Sequence, residues 1–195
     1  MRITGGTARG RSIAGPKSGC TLIRPTSDRV REALFSIIVA KIPGSTVLDL
    51  YAGTGAFGLE TLSRGAAAAV FVDQSKLALQ LIQDNLNRCI TGAKAALLQL
   101  DLARPDGIAR LKNRLPSEMR FDLIFLDPPY ERRLAEQAVA AVEQGALLNA
   151  EGLLIAEERK NAGLPEQSGS FRLIDQRCYG ETGLWFYQQE STGTK

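Results

Sequence analysis

Two short stretches of this 195-residue sequence carry residue types able to do chemistry. The first is Asp127-Pro128-Pro129-Tyr130, which follows directly on the apolar run Phe121-Asp122-Leu123-Ile124-Phe125-Leu126. Proline fixes φ and holds the residue before it extended, so the Asp127 carboxylate and the Pro128 carbonyl can both face one small donor beyond a strand end. An exocyclic amine, with two N–H groups, matches that pair of acceptors. Tyr130 adds a ring face on which a flipped base can stack. We therefore take Asp127, Pro128, Pro129 and Tyr130 as the candidate catalytic segment, against the plainer alternative of a rigid turn with an incidental aromatic.

The second stretch is Asp49-Leu50-Tyr51-Ala52-Gly53-Thr54-Gly55-Ala56-Phe57-Gly58. Glycines between a strand and a helix allow a ligand to approach the backbone closely, and Gly53, Gly55 and Gly58 fit a dinucleotide loop as well as an S-adenosylmethionine loop. Asp49, four residues before Gly53, separates the two. A carboxylate there repels a pyrophosphate but attracts the sulfonium and α-ammonium of S-adenosyl-L-methionine. Asp73 ends the next apolar run, where it can accept ribose hydroxyls. Asp101 and the Leu102 amide end the third, within reach of an adenine amino group. The candidate cofactor set is Asp49, Ala52, Gly53, Thr54, Gly55, Asp73, Gln74, Asp101 and Leu102, and the expected cofactor is S-adenosyl-L-methionine. A nicotinamide-dependent oxidoreductase and a catalytically silent RNA-binding protein stay open as other classes.

The elements that must position these residues follow from periodicity. Short apolar runs at Thr46–Leu50, Ala69–Val72, Ala95–Leu100, Asp122–Leu126 and Leu153–Glu157 read as strands. Helical patterns alternate with them at Phe57–Arg64, Lys76–Cys89, Gly107–Leu115 and Leu134–Leu148. That rhythm predicts an α/β fold with a doubly wound, mostly parallel sheet. Beyond Gly163 two further strands, Phe171–Cys178 and Leu184–Gln188, have no helix between them and predict an antiparallel pair at one edge. A helix capped by Thr26, Ser27 or Asp28, with Val30, Leu34, Ile37 and Ile38 at helical spacing, joins an N-terminal extension to this core. The expected division is a basic arm and linking helix over 1–43, a catalytic domain over 44–190 and a disordered tail over 191–195.

Composition narrows the chemistry. The sequence has no histidine, so His-based metal sites and Ser–His or Cys–His nucleophile pairs are excluded, and no metal is expected. Cys20, Cys89 and Cys178 are too few and too far apart for a disulfide framework and suit reduced thiols in a cytosolic protein. No long apolar stretch or leader suggests a membrane or export, so a cytoplasmic location is expected. Net charge is +3, yet residues 1–32 hold seven basic side chains against two acidic ones, a local +5 that leaves −2 on the remainder. A basic arm on a near-neutral body suggests a polyanionic partner, with Arg9, Arg11, Arg24, Arg29 and Arg31 as candidate phosphate contacts; a merely solvated tail is the alternative.

Three motifs together resemble a known family. Asp127-Pro128-Pro129-Tyr130 resembles the [DNS]PP[YF] motif of amino-methyltransferases, and Asp49-x-x-x-Gly53-x-Gly55 resembles their cofactor motif. The run Arg24-Pro25-Thr26-Ser27-Asp28-Arg29-Val30-Arg31-Glu32-Ala33-Leu34-Phe35, with Gly5-Gly6-Thr7-Ala8-Arg9-Gly10-Arg11, is similar to the bacterial 16S ribosomal RNA guanine-N2 methyltransferases, the methyltransferase D type. The resemblance covers nearly the whole chain. It implies a Rossmann-like methyltransferase sheet of seven strands with the last strand antiparallel, S-adenosyl-L-methionine as methyl donor, and a guanine of 16S ribosomal RNA as substrate. That RNA would be met free or within an assembling small ribosomal subunit. Adenine-N6 methylation of DNA or RNA makes the same demands on Asp127–Tyr130 and remains the nearest alternative. The Tyr179–Gly183 loop carries no motif from which a role transfers.

Overall fold

The structure, a computed structural model, describes residues 1–15, 28–130 and 134–190. They form two compact units, Met1–Asp101 and Leu102–Lys195, both α/β. The expected tail at 191–195 and the helix cap at Thr26 or Ser27 lie outside the described residues.

In the first unit, β1 (Thr46–Leu50), β2 (Ala68–Asp73) and β3 (Ala95–Gln99) lie side by side in the order β3-β2-β1, all parallel. Helices α1 (Asp28–Ile38), α2 (Ala56–Ser63) and α3 (Lys76–Cys89) accompany them, α1 running into a short 3-10 turn at Val39–Lys41. The central strands are apolar because both faces are covered: Val47, Leu48, Leu50, Phe71 and Val72 are fully buried. Ser75 caps α3, its side chain accepting from the Ala78 amide at 3.3 Å.

The N-terminal extension is stitched to this unit. Residues 1–13 fold back on themselves through an antiparallel bridge between Arg2 and Ser12, with Ile3, Ala8 and Ile13 buried. These residues make a small hairpin, and it docks on α2 and α3. Fully buried Glu60 accepts from the Thr4 amide and hydroxyl and the Gly5 amide at 2.6–3.0 Å, and pairs with Arg64 at 2.9 Å. Ser63 Oγ takes the Ala8 amide and donates to the Gly5 carbonyl, while Asn85 bonds both main-chain groups of Ala14. A buried carboxylate stripped of such donors is costly, so the dock holds hairpin and helix together.

In the second unit, β4 (Phe121–Leu126) and β5 (Leu148–Arg159) are parallel, and the strand order within the unit is β4-β5-β8-β7-β6. β6 is Gln167–Ser168, β7 is Phe171–Tyr179 and β8 is Thr182–Gln189, with antiparallel pairings β5·β8, β8·β7 and β7·β6. The expected antiparallel pair is β7 and β8, joined by a two-residue turn at Gly180-Glu181. Helices α4 (Gly107–Lys112) and α5 (Leu134–Gln144) complete the unit. The strand count corrects the expectation of seven: eight strands stand among the described residues, because two-residue β6 is too short to leave a periodicity. No helix among the described residues is long and apolar enough to cross a membrane.

Candidate cofactor loop and acceptor segment

The glycine loop leaves β1 through an alternating left-handed path. Tyr51, Gly53 and Gly55 have φ of 58°, 54° and 73°, and Gly55 caps α2. Glycine takes such angles without strain; Tyr51 takes one despite its side chain. Short main-chain bonds close the turn: the Ala52 amide donates to the Val72 carbonyl at 3.0 Å and the Gly55 amide to the Ala52 carbonyl at 2.7 Å. Thr54 is buried, its carbonyl 3.4 Å from Asn85 Nδ2. The third glycine, Gly58, serves packing, since a Cβ there would stand 2.3 Å from the Phe71 ring.

The acids predicted for this loop divide into two kinds. Asp73 is half-buried and grips the chain, its two carboxylate oxygens accepting the amides of Gly53 at 2.9 Å and Ser75 at 2.8 Å. Asp49 is buried, only 2% exposed, and accepts the Gly58 amide at 3.0 Å. Burial, against the help of that amide and reinforced by the charge of Asp73, pushes the Asp49 carboxyl up to about 8. Asp101 and Gln74 are exposed, and the Gln74 carbonyl accepts from Gln99 at 3.1 Å. Burial, reinforced by the charge of Asp101, pushes the Tyr51 hydroxyl up to about 12. Leu102, the first residue of the second unit, is buried.

This donor set fits a cationic ligand. Carboxyl groups at Asp49, Asp73 and Asp101 lie about a turn whose residues 50–58 include no lysine or arginine to offset them, an acidic setting that disfavours a pyrophosphate.

In the second unit, Asp127-Pro128-Pro129-Tyr130 follows β4 directly, as the sequence predicts. Asp127 is half-buried, Pro128 buried and Pro129 exposed. Tyr130 is half-buried, and its hydroxyl donates to Glu157 Oε1 at 3.2 Å. The guanidinium of Arg159 stands over the ring, 5.8 Å from its centroid. Burial and the nearby charges of Glu157 and Asp127 push the Tyr130 hydroxyl well above its usual range. Sequence reading missed Glu157 and Arg159, which lie 27 and 29 residues downstream on β5, outside any motif.

The arm arginines separate. Arg9 and Arg29 are exposed. Arg11 is exposed as a residue, yet its Nη1 donates to the Arg88 and Cys89 carbonyls at the end of α3, each at 3.1 Å. Arg31 corrects the expectation of a phosphate contact: it is 3% exposed and donates to the Arg2 carbonyl, so its guanidinium ties α1 to the hairpin. Its place on the inner face of α1, one position from buried Val30, is what charge counting could not see. Arg24 lies outside the described residues. Among the described residues no cluster of three or more His, Cys, Asp or Glu side chains could hold a metal.

Residues 1–188 match the family model described as "Conserved hypothetical protein 95". The chain belongs to this family. Within it, the chain is 33% identical over 193 residues to the Escherichia coli protein named Ribosomal RNA small subunit methyltransferase D, covering 99% of this chain and 92% of that one. Its Haemophilus influenzae counterpart of the same name is 32% identical over 96% of this chain and 93% of its own length. A solved Escherichia coli structure, described as a candidate methyltransferase, superposes with a TM-score of 0.81 at 31% identity over 98% of each chain. The resemblance drawn from the motifs therefore stands, and with it the Rossmann-like α/β fold of the Conserved hypothetical protein 95 family.

Proposed function

We propose that this chain transfers a methyl group from S-adenosyl-L-methionine to the exocyclic N2 of a guanine in 16S ribosomal RNA. The names carried by its relatives support ribosomal RNA as substrate and the small subunit as its source. The observation that carries the chemistry is the half-buried Asp127 at the end of β4, followed by a Tyr130 ring gripped at its hydroxyl.

Asp49, Ala52–Gly55, Asp73, Gln74 and Asp101 would hold the donor. When bound, S-adenosyl-L-methionine would supply an electrophilic methyl carbon on a cationic sulfur able to leave as a neutral thioether. Guanine N2 is a weak nucleophile because its lone pair is delocalised into the ring. Asp127 and the Pro128 carbonyl, accepting its two N–H groups, favour a localised lone pair and stabilise the positive charge that develops on nitrogen. Asp127 then takes the departing proton, and no covalent enzyme intermediate is needed. Tyr130 holds the flipped base by stacking, and Arg9 and Arg29, with Arg11 and Arg24, meet phosphates.

Tritium transfer from labelled S-adenosylmethionine into unmodified ribosomal RNA and small-subunit particles, followed by nucleoside analysis, tests the reading. We expect N2-methylguanosine. N6-methyladenosine would replace guanine by adenine, and no transfer with either substrate would overturn the proposal.

A further inference from the structure

Glu157 and Arg159 are alternate residues of β5, so their side chains leave the strand on the same face. They meet Tyr130 in different ways. Buried Glu157 takes the hydroxyl at 3.2 Å and fixes the ring by its edge. Arg159 is exposed and covers one face of the ring, 5.8 Å from the centroid. Its neighbour Lys160 makes an ordinary surface ion pair with Glu181 at 2.7 Å.

The spacing over the ring is informative. A guanidinium stacked directly on a ring would sit roughly 3.5–4 Å away, while a planar base between the two requires about 7 Å, two contacts of roughly 3.5 Å each. With Arg159 Cζ 5.8 Å from the ring centroid, the guanidinium is not closely stacked on Tyr130, and outward movement of this exposed side chain makes room for a base. Guanidinium is planar and weakly hydrated, and it stacks on nucleobases as well as on aromatic side chains.

We propose that Arg159 and Tyr130 are the two walls of a slot that takes the target guanine, with Arg159 contacting the base directly and Glu157 positioning the opposite wall. This inference rests on the guanine-methylating reading above. Arg159 then supplies what Asp127 and Pro128 do not: a cap that keeps the purine flat on Tyr130 while its amine is held.

The test compares single-turnover methyl transfer to unmodified small-subunit particles by the full chain and by Arg159→Ala, Arg159→Lys and Arg159→Tyr. Because the side chain is exposed, thermal unfolding and S-adenosylhomocysteine binding should match wild type in all three. Arg159→Ala should slow transfer about 5- to 100-fold, the range of one lost base stack. Arg159→Tyr, which restores a flat face without charge, should recover most of the rate, whereas Arg159→Lys should not. Transfer by Arg159→Ala within twofold of wild type would sink the slot. So would full rescue by Arg159→Lys with a flattened salt dependence of particle binding, since that pattern belongs to a phosphate contact. Wild-type protein that leaves guanine unmethylated would instead count against the functional reading itself.

Discussion

The glycine loop and the Asp127–Tyr130 segment are both placed at strand ends, but they are made rigid by different means. The loop is held by its backbone: three left-handed residues, two main-chain bonds across the turn, and acids that accept amides. The Asp127–Tyr130 segment is held by side chains, with Glu157 at the edge of the tyrosine ring and Arg159 over its face. A backbone-built site tolerates most changes except at its glycines and the acids that grip it. A site built from side chains depends on each of them, and on residues remote in sequence.

The sharpest way to break that contrast is Asp127→Ala. If the carboxylate faces the acceptor amine, turnover should fall on the order of a hundredfold, as when one preorganised partner of a developing charge is removed, while S-adenosylhomocysteine affinity measured by calorimetry stays put. Near-normal turnover in a folded variant would remove the role given to Asp127.

Asp73→Ala addresses the other region. It deletes the acceptor for two amides as well as the proposed partner for a ribose, so S-adenosylhomocysteine binding should weaken by about 1–3 kcal/mol with RNA affinity unchanged. Unchanged cofactor affinity would mean that the loop keeps its shape without the acid.

Asp49 sharpens the comparison through pH. Its carboxyl stands at about 8 in the folded protein and near 3.8 in its ordinary state, so between those values the native chain binds more protons than the unfolded one. Its contribution therefore makes stability fall as pH rises from about 4 to about 8 and level off above. Asp49→Asn should flatten that part of a urea-midpoint profile. A cationic ligand favours the ionised carboxylate, so wild-type affinity for S-adenosylmethionine should rise with pH across the approach to 8. An equal slope in the Asn variant would assign the effect elsewhere.

The smallest effect is expected in the arm. Replacing Arg9 and Arg29 by Gln should reduce the slope of log RNA affinity against log salt by about 0.7–0.9 per lost contact. Arg31→Gln should lower the unfolding midpoint and leave the slope alone, because its guanidinium is buried against the hairpin. A flattened slope for Arg31→Gln with no loss of stability would restore it as a phosphate contact.

What could be read from sequence was what one stretch of chain encodes locally. The loop's glycines, Asp73 at the end of β2, the Ser75 cap and the Asp127–Tyr130 segment after β4 all announce themselves within a few residues. Sequence starts the fifth strand at Leu153 because Asn149, Ala150 and Glu151 interrupt the apolar run, whereas β5 begins at Leu148. Glu157 and Arg159 become partners of Tyr130 only once β4 and β5 are paired, a contact no local pattern carries. Arg31 was misread for a related reason: residue type gives a charge, but only packing gives its direction.

The Glu60 dock also bears on how the chain is made. Thr4, Gly5, Ala8 and Ala14 find their partners 55–71 residues later, at Glu60, Ser63 and Asn85. At roughly 5–20 residues per second, several seconds of synthesis separate the emergence of the hairpin from that of its seat. Until then the amides of Thr4, Gly5 and Ala8 have no acceptor to dock on, and the hairpin's seat exists only once Glu60 and Ser63 have been made.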